Sequence, residues 1–193
     1  IRSLATINMA AYQGAAAAKR IFEVIDTPIL IKNEIGLPNL KIETCNIKFK
    51  NISFHYLNVK EKAVKNINME IKGGSMTAFV GPSGAGKSTI INLLPRFYSP
   101  QKGEIFIDEQ DIHKITLNSL RKNISLVSQD VILFDDTIEA NIAYAAPESS
   151  QDEIARACKF AAADEFINKL PDGYKTFTGE NGVRLSGGQK QRI

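Results

Sequence analysis

Gly81-Pro82-Ser83-Gly84-Ala85-Gly86-Lys87-Ser88-Thr89 constrains this chain more than any other stretch. An apolar run, Met76 to Val80, leads into it, and Ile90, Ile91, Leu93 and Leu94 follow at helical spacing. The run before the glycines reads as a short buried parallel strand. The helix after them is expected to end or kink at Pro95, which cannot donate a backbone hydrogen bond.

The glycine segment meets the pattern G-x-x-x-x-G-K-[ST] through Gly81, Gly86, Lys87 and Ser88. Its glycines let backbone N–H groups close around phosphate oxygens without obstruction by a Cβ. The helix starting near Lys87 turns its partial positive end to the same oxygens. Lys87 adds a full charge, and the Ser88 hydroxyl suits a Mg²⁺ ion carried by the phosphates. Gly81, Ser83, Gly84, Ala85, Gly86, Lys87, Ser88 and Thr89 are therefore the candidate nucleotide-binding set. This loop alone fits GTPases, kinases, helicases and transport ATPases equally.

The chain has 193 residues, 44% of them hydrophobic, enough for one compact domain with a core. Its net charge is +3, and Lys and Arg are scattered rather than gathered into a stripe, which gives no reason to invoke nucleic acid. Two cysteines, Cys45 and Cys158, suggest no disulfide framework, and two histidines suggest no zinc site. No uninterrupted apolar stretch of about 18 residues is present, so no complete membrane span is expected. The chain opens on Ile1 rather than Met and lacks a signal-peptide profile, so it reads as a cytosolic part of a longer protein.

Residues 4–26 read as a helix closed at Thr27-Pro28, and residues 28–44 as a linker with little periodicity. Ile47, Phe49, Ile52, Phe54 and Tyr56 nearly alternate, with a slip at Asn51 that suggests a bulge. Ile67, Met69 and Ile71 form a second strand beyond a polar hairpin region, Asn58 to Lys62, and Ile105 to Ile107 a third. The turn at Asp108-Glu109-Gln110 lacks the glycine that a two-residue hairpin turn prefers. Further on, Ser150 and Glu153 have capping-box spacing ahead of Ile154, Ala157, Cys158 and Ala161. Asp164 to Leu170 reads as another short helix, closed by Pro171-Asp172-Gly173.

A second motif narrows the function. In Leu185-Ser186-Gly187-Gly188-Gln189, Ser186 and Gln189 form a capping box, and the adjacent glycines expose N–H groups at a helix start. This resembles the signature of ATP-binding-cassette (ABC) proteins. That likeness implies that Ser186, Gly187, Gly188 and Gln189 meet the γ-phosphate of an ATP held by the other subunit, in a head-to-tail homodimer. It further implies that Tyr56 stacks on adenine, and that Gln129 reaches Mg²⁺ and the attacking water beside Lys87. Catalytic roles thus fall to Lys87 and Gln129, and metal contacts to Ser88 and Gln129.

The likeness is to bacterial half-size exporters of the lipid A and multidrug type. Leu94 to Tyr98, Thr116 to Arg121, Leu133 to Thr137, Asn141 to Tyr144 and Gly179 to Gly182 carry it. The expected fold is an α/β P-loop NTPase with a RecA-like core, an antiparallel β subdomain and a helical subdomain. The resemblance implies that residues 1–27 are the cytoplasmic end of a last transmembrane helix and 28–44 its link. Residues 45–128 would be the β subdomain with the phosphate-loop core, and 129–193 the helical part up to the signature. Glu180 would face the chain's own transmembrane domain, at the cytoplasmic face of a bacterial inner membrane. The transported lipid or amphipathic molecule would touch that membrane domain only.

In the family, the sequence beyond Gln191-Arg192-Ile193 holds an apolar strand ending in Asp-Glu. The 193-residue chain is therefore expected to be truncated, poorly stable, and slowed by about 10²–10⁴-fold for want of its base. Three other readings stay open: the ATPase subunit of an importer, a DNA-maintenance ABC ATPase, and a nucleotide-binding module without turnover.

Overall fold

The computed structural model describes residues 2–29, 31–32, 36–57, 59 and 61–193. Asn58 and Lys60 of the expected hairpin region, and positions 30 and 33–35 of the expected linker, lie outside them. The chain divides into two compact units, residues 1–124 and 125–193.

The first unit begins with helix α1 (Arg2–Ile25), close to the expected span. It closes where the Thr27 hydroxyl donates to the Glu23 carbonyl at 2.8 Å, one residue before Pro28. Ile7, Tyr12, Phe22 and Val24 on this helix are all exposed. Among the described residues no helix is long and apolar enough to cross a membrane.

A four-stranded antiparallel sheet follows, with strand order β2-β1-β3-β4. Strand β1 (Ile47–Phe54) is central, pairing with β2 (Val64–Ile71) on one side and β3 (Lys102–Ile107) on the other. The short β4 (Gln110–Asp111) pairs antiparallel with the end of β3. The slip at Asn51 is a bulge: register shifts between Phe49 and Ile52, and Asn51 takes φ 51°. Its N–H donates to the Asn68 side chain at 2.9 Å instead of the ladder. The extra residue returns Ile52 and Phe54 to the face of Phe49, and all three are buried.

Met76–Val80, expected as a buried parallel strand, is not a strand. Met76 and Val80 are fully exposed, and Phe79 alone of these five residues packs against the core. A parallel strand cannot pair through a tight turn, so it forms only where a strand from elsewhere in the chain lies beside it. No described strand pairs with this run, and no parallel pair occurs among the described strands.

Helix α2 (Lys87–Leu93) starts one residue after Gly86 and ends with Leu94 as its C-cap, just before Pro95 as expected. Ile90 and Leu93 lie in the core. Gly86 fixes where the helix begins. It has φ 84°, and a Cβ there would stand 2.5 Å from the Ala63 carbonyl oxygen and 2.6 Å from Val64 Cγ1. Only glycine gives both the left-handed backbone and the close approach to β2. Helix α3 (Leu117–Lys122) secures the other end of α2 through Arg121, which donates to the carbonyls of Pro95 and Arg96 at 3.0 Å each.

The turn between β3 and β4 is a two-residue turn without glycine, with φ 46° at Asp108 and 60° at Glu109. Left-handed non-glycine residues cost about 1–3 kcal/mol each. Here the turn is held by its own side chain. Asp108 Oδ2 accepts from the N–H groups of Glu43, Thr44 and Cys45 at 2.7, 3.0 and 2.9 Å. Oδ1 accepts from the Asn46 N–H at 2.8 Å and the Thr44 hydroxyl at 2.6 Å. The preceding residues are held as well, by β4 and by the start of α3. Gln110 accepts from the Lys41 N–H at 3.0 Å, the Leu40 N–H donates to Ser119 Oγ at 2.9 Å, and the Thr116 N–H donates to the Pro38 carbonyl at 2.9 Å. Residues 38–46, aperiodic in sequence, are thus a strap tied down along its length.

The second unit is mainly helical. Its helices are α4 (Ile138–Ile142), α5 (Gln151–Phe160), α6 (Asp164–Ile167) and α7 (Gly187–Arg192). Thr137 caps α4 by accepting from the Ala140 N–H, and the expected Ser150–Glu153 capping box starts α5. Ile138, Ile154, Cys158, Ala163 and Ile167 form the core.

Two outcomes test these assignments. Asp108→Asn removes one acceptor oxygen and turns N–H donors toward a cluster of N–H groups. A lower melting temperature and faster amide exchange at residues 43–46 are expected, read by hydrogen-exchange mass spectrometry. The Thr44 hydroxyl and then the Glu43 N–H hold the Asp108 carboxyl well below its ordinary 3.8. Its contribution is therefore complete above about pH 4 and is lost as pH falls further, so the acid limb of stability should be shallower in Asp108→Asn. Gly86→Ala should cost about 1–3 kcal/mol, read as a lower urea midpoint. An unchanged midpoint would contradict the close approach.

Candidate functional site

The loop from Gly81 to Ala85 is exposed at the start of α2. A turn in which the Ala85 N–H donates to the Pro82 carbonyl at 3.3 Å shapes it, and the Ile90 N–H donates back to Gly86 at 3.0 Å. First-turn N–H groups of a helix have no intrahelical acceptor, so those of Lys87 to Thr89 are available at the loop. The Lys87 side chain folds back over this loop, with Nζ donating to the carbonyls of Gly81 at 2.9 Å and Pro82 at 2.7 Å. No carboxylate lies between Gly81 and Thr89, so the local charge is positive.

This donor set fits a polyphosphate. For a divalent cation the fit is narrower. Ser88 is exposed and offers one hard oxygen, and no group of three or more His, Cys, Asp or Glu among the described residues could hold a metal. Mg²⁺ keeps water and phosphate oxygens in its shell, so it suits this loop as an ion arriving with the phosphates rather than one caged by protein.

Tyr56 reaches the same helix from 33 residues upstream: its hydroxyl lies 3.0 Å from the Oγ1 of Thr89, which is buried. The half-buried Tyr56 ring meets two others edge-on, Phe54 at 4.9 Å and 81° and Tyr98 at 5.1 Å and 86°. The first unit therefore gathers Tyr56 with the whole phosphate loop. Nothing in the sequence marks Tyr98 as part of this group. Its packing depends on how the segment after α2 turns.

The second unit gathers the remaining candidates. Gln129 is exposed, in a segment where the Ser128 hydroxyl donates to the Asp130 carbonyl at 2.6 Å. Gln191 on α7 donates to the carbonyls of Ser128 and Gln129, at 3.4 Å each. The signature helix starts with the expected capping box: Gln189 Oε1 accepts from the Ser186 N–H at 2.8 Å, and Ser186 Oγ from the Gln189 N–H at 3.3 Å. Lys190 Nζ donates to the Asn181 carbonyl at 2.6 Å, joining the Gly179–Gly182 segment to α7. A Cβ on Gly187 or Gly188 would meet nothing within 4 Å among the described residues. Packing among the described residues does not require glycine there.

The family described as ABC transporter matches residues 64–193. The ATP-dependent lipid A-core flippase of Legionella pneumophila (strain Paris) is 45% identical over 193 residues, covering 100% of this chain and 32% of the flippase. The flippase of Albidiferax ferrireducens is also 45% identical, covering 100% of this chain and 33% of its own length. A solved bacterial Atm1-family ABC exporter with ATP bound superposes with a TM-score of 0.86 at 44% identity, over 94% of this chain and 32% of that one. The chain thus spans about a third of the length of the relatives it matches. With its phosphate loop ahead of α2 and its capped signature helix, the chain belongs to the ABC transporter family.

Proposed function

We propose that this chain is the nucleotide-binding part of an exporter-type ABC transporter. It binds Mg-ATP and pairs head-to-tail with a second copy around the nucleotide. Hydrolysis then powers export or flipping of a lipid or amphipathic molecule by a transmembrane domain, at the cytoplasmic face of a bacterial inner membrane. The relatives named as lipid A-core flippases, and the exporter with ATP bound, support the transport part of this reading.

The observation that carries it is a pair of complementary half-sites. One is a positively charged loop whose N–H groups, with Lys87, can surround phosphates. The other is a helix start whose two glycines would accept a Cβ with nothing within 4 Å among the described residues. Glycine within a helix costs about 1 kcal/mol relative to alanine. Two in succession at an exposed helix start are accounted for if a partner's nucleotide must come close to their backbone.

Within this reading, Gly81 to Gly86 wrap the phosphates, Lys87 neutralises their charge, and Ser88 and Thr89 complete the nucleotide-binding set. Tyr56 offers its ring to adenine. Ser88 and Gln129 would hold Mg²⁺, which when bound draws negative charge off the phosphate oxygens. Gln129 would also orient the attacking water. Ser186 to Gln189 face the γ-phosphate of the opposite copy. Residues 1–27 are read as the cytoplasmic end of the last membrane helix, which would account for the exposed apolar residues of α1. Residues 28–44 are read as its link, 45–128 as the β subdomain and phosphate-loop core, and 129–193 as the helical part.

Lys87→Ala should weaken ATP binding about 10- to 100-fold in a calorimetric titration, the scale of hydrogen bonds to a charged group. Ser186→Ala should leave binding by one copy intact and reduce ATP-dependent dimerisation, followed by analytical ultracentrifugation. Equal loss of single-copy binding in both variants would refute the division of labour.

A further inference from the structure

The Tyr56 ring lies two residues beyond the end of β1, where its carbonyl accepts from the Val59 N–H at 3.1 Å rather than from a strand partner. Three contacts orient it. Its hydroxyl is tied to Thr89 at 3.0 Å, Phe54 meets it from the same segment, and Tyr98 meets it from the segment following α2. Phe54 and Tyr98 also touch each other, at 5.5 Å and 46°, so the three rings form a closed cluster. Phe54 belongs to the core of the sheet, whereas Tyr98 is 40% exposed.

Tyr98 is itself held in place. Arg121 ties down the carbonyls of Pro95 and Arg96 at 3.0 Å, and its guanidinium lies 5.4 Å from the Phe97 ring. The segment therefore presents Tyr98 from a fixed backbone. Tyr98 is a tyrosine outside the packed core cluster of the first unit. This one stays partly in solvent while its ring meets the one side chain in the unit that is read as a base platform.

We propose that Tyr98 is a positioning residue for the nucleotide base, holding the Tyr56 ring in its stacking orientation before ATP arrives. The inference rests on reading Tyr56 as the adenine-stacking residue. Ordering the ring in advance removes a conformational cost that binding would otherwise bear. Edge-to-face contacts of this kind correspond to about 2- to 10-fold in affinity. The effect is confined to ligands that carry a base.

The test compares Mg-ATP with Mg-inorganic triphosphate, which has phosphates and no base, by calorimetric titration of the full chain. Tyr98→Leu and Tyr98→Met are made together, each with its melting temperature, so that a single misfolded variant does not decide the result. Both should weaken ATP about 2- to 10-fold and leave triphosphate unchanged. Tyr98→Phe should bind as the parent does, and Tyr98→Leu should add nothing in a Tyr56→Ala background. Equal loss of ATP and triphosphate would mean general disruption and overturn the proposal. Unchanged ATP affinity, with Tyr56→Ala still weakening ATP, would overturn it while sparing the base-stacking reading. Unchanged ATP affinity in Tyr56→Ala would remove that reading and the role of Tyr98 with it.

Discussion

The approach of Gly86 to β2 is the contact on which the rest of the phosphate site depends. With its backbone against Ala63 and Val64, α2 can begin at only one place and one angle. That placement sends Ile90 and Leu93 into the core, turns Thr89 toward Tyr56, and leaves Lys87 and the exposed Ser88 at the loop. The three consecutive residues serve different ends because successive helix positions point about 100° apart. Arg121 and the carbonyls after α2 fix the far end of the same short helix. Seven residues could not hold a helical conformation unaided, so its orientation is imposed at both termini.

Features that rest on neighbours close along the chain are legible in the residues themselves. The Ser150–Glu153 and Ser186–Gln189 boxes are three-residue relations, and both form. The bulge at Asn51 is visible because one extra residue breaks a period of two. The helix of residues 4–26 and the stop at Pro95 follow from local propensity and proline geometry in the same way. The family itself is legible because its two motifs are short and contiguous.

Features that rest on distant partners are not. Met76–Val80 has the letters of a buried strand, but a parallel strand is a property of its neighbours rather than of its own residues. The tie between Tyr56 and Thr89 spans 33 residues, and Tyr98 joins it only because α2 returns the chain to the end of β1. The strap of residues 38–46 shows the same limit: its bonds run to residues 62 to 79 positions away wherever they meet Asp108, Gln110 and Ser119. No periodicity within the strap could announce them.

Asp108 has a meaning beyond holding a turn. Four successive backbone N–H groups, from Glu43 to Asn46, converge on one carboxylate, with Cys45 at φ 60° bending the chain to aim them. This is an anion-binding nest of the same physical kind as the phosphate loop, but its anion is covalently part of the protein. A tethered ligand has a standing effective concentration and cannot be diluted away. The chain therefore holds one anion cradle filled by its own carboxylate, and a second N–H-lined loop, Gly81 to Gly86, whose donors fit a phosphate.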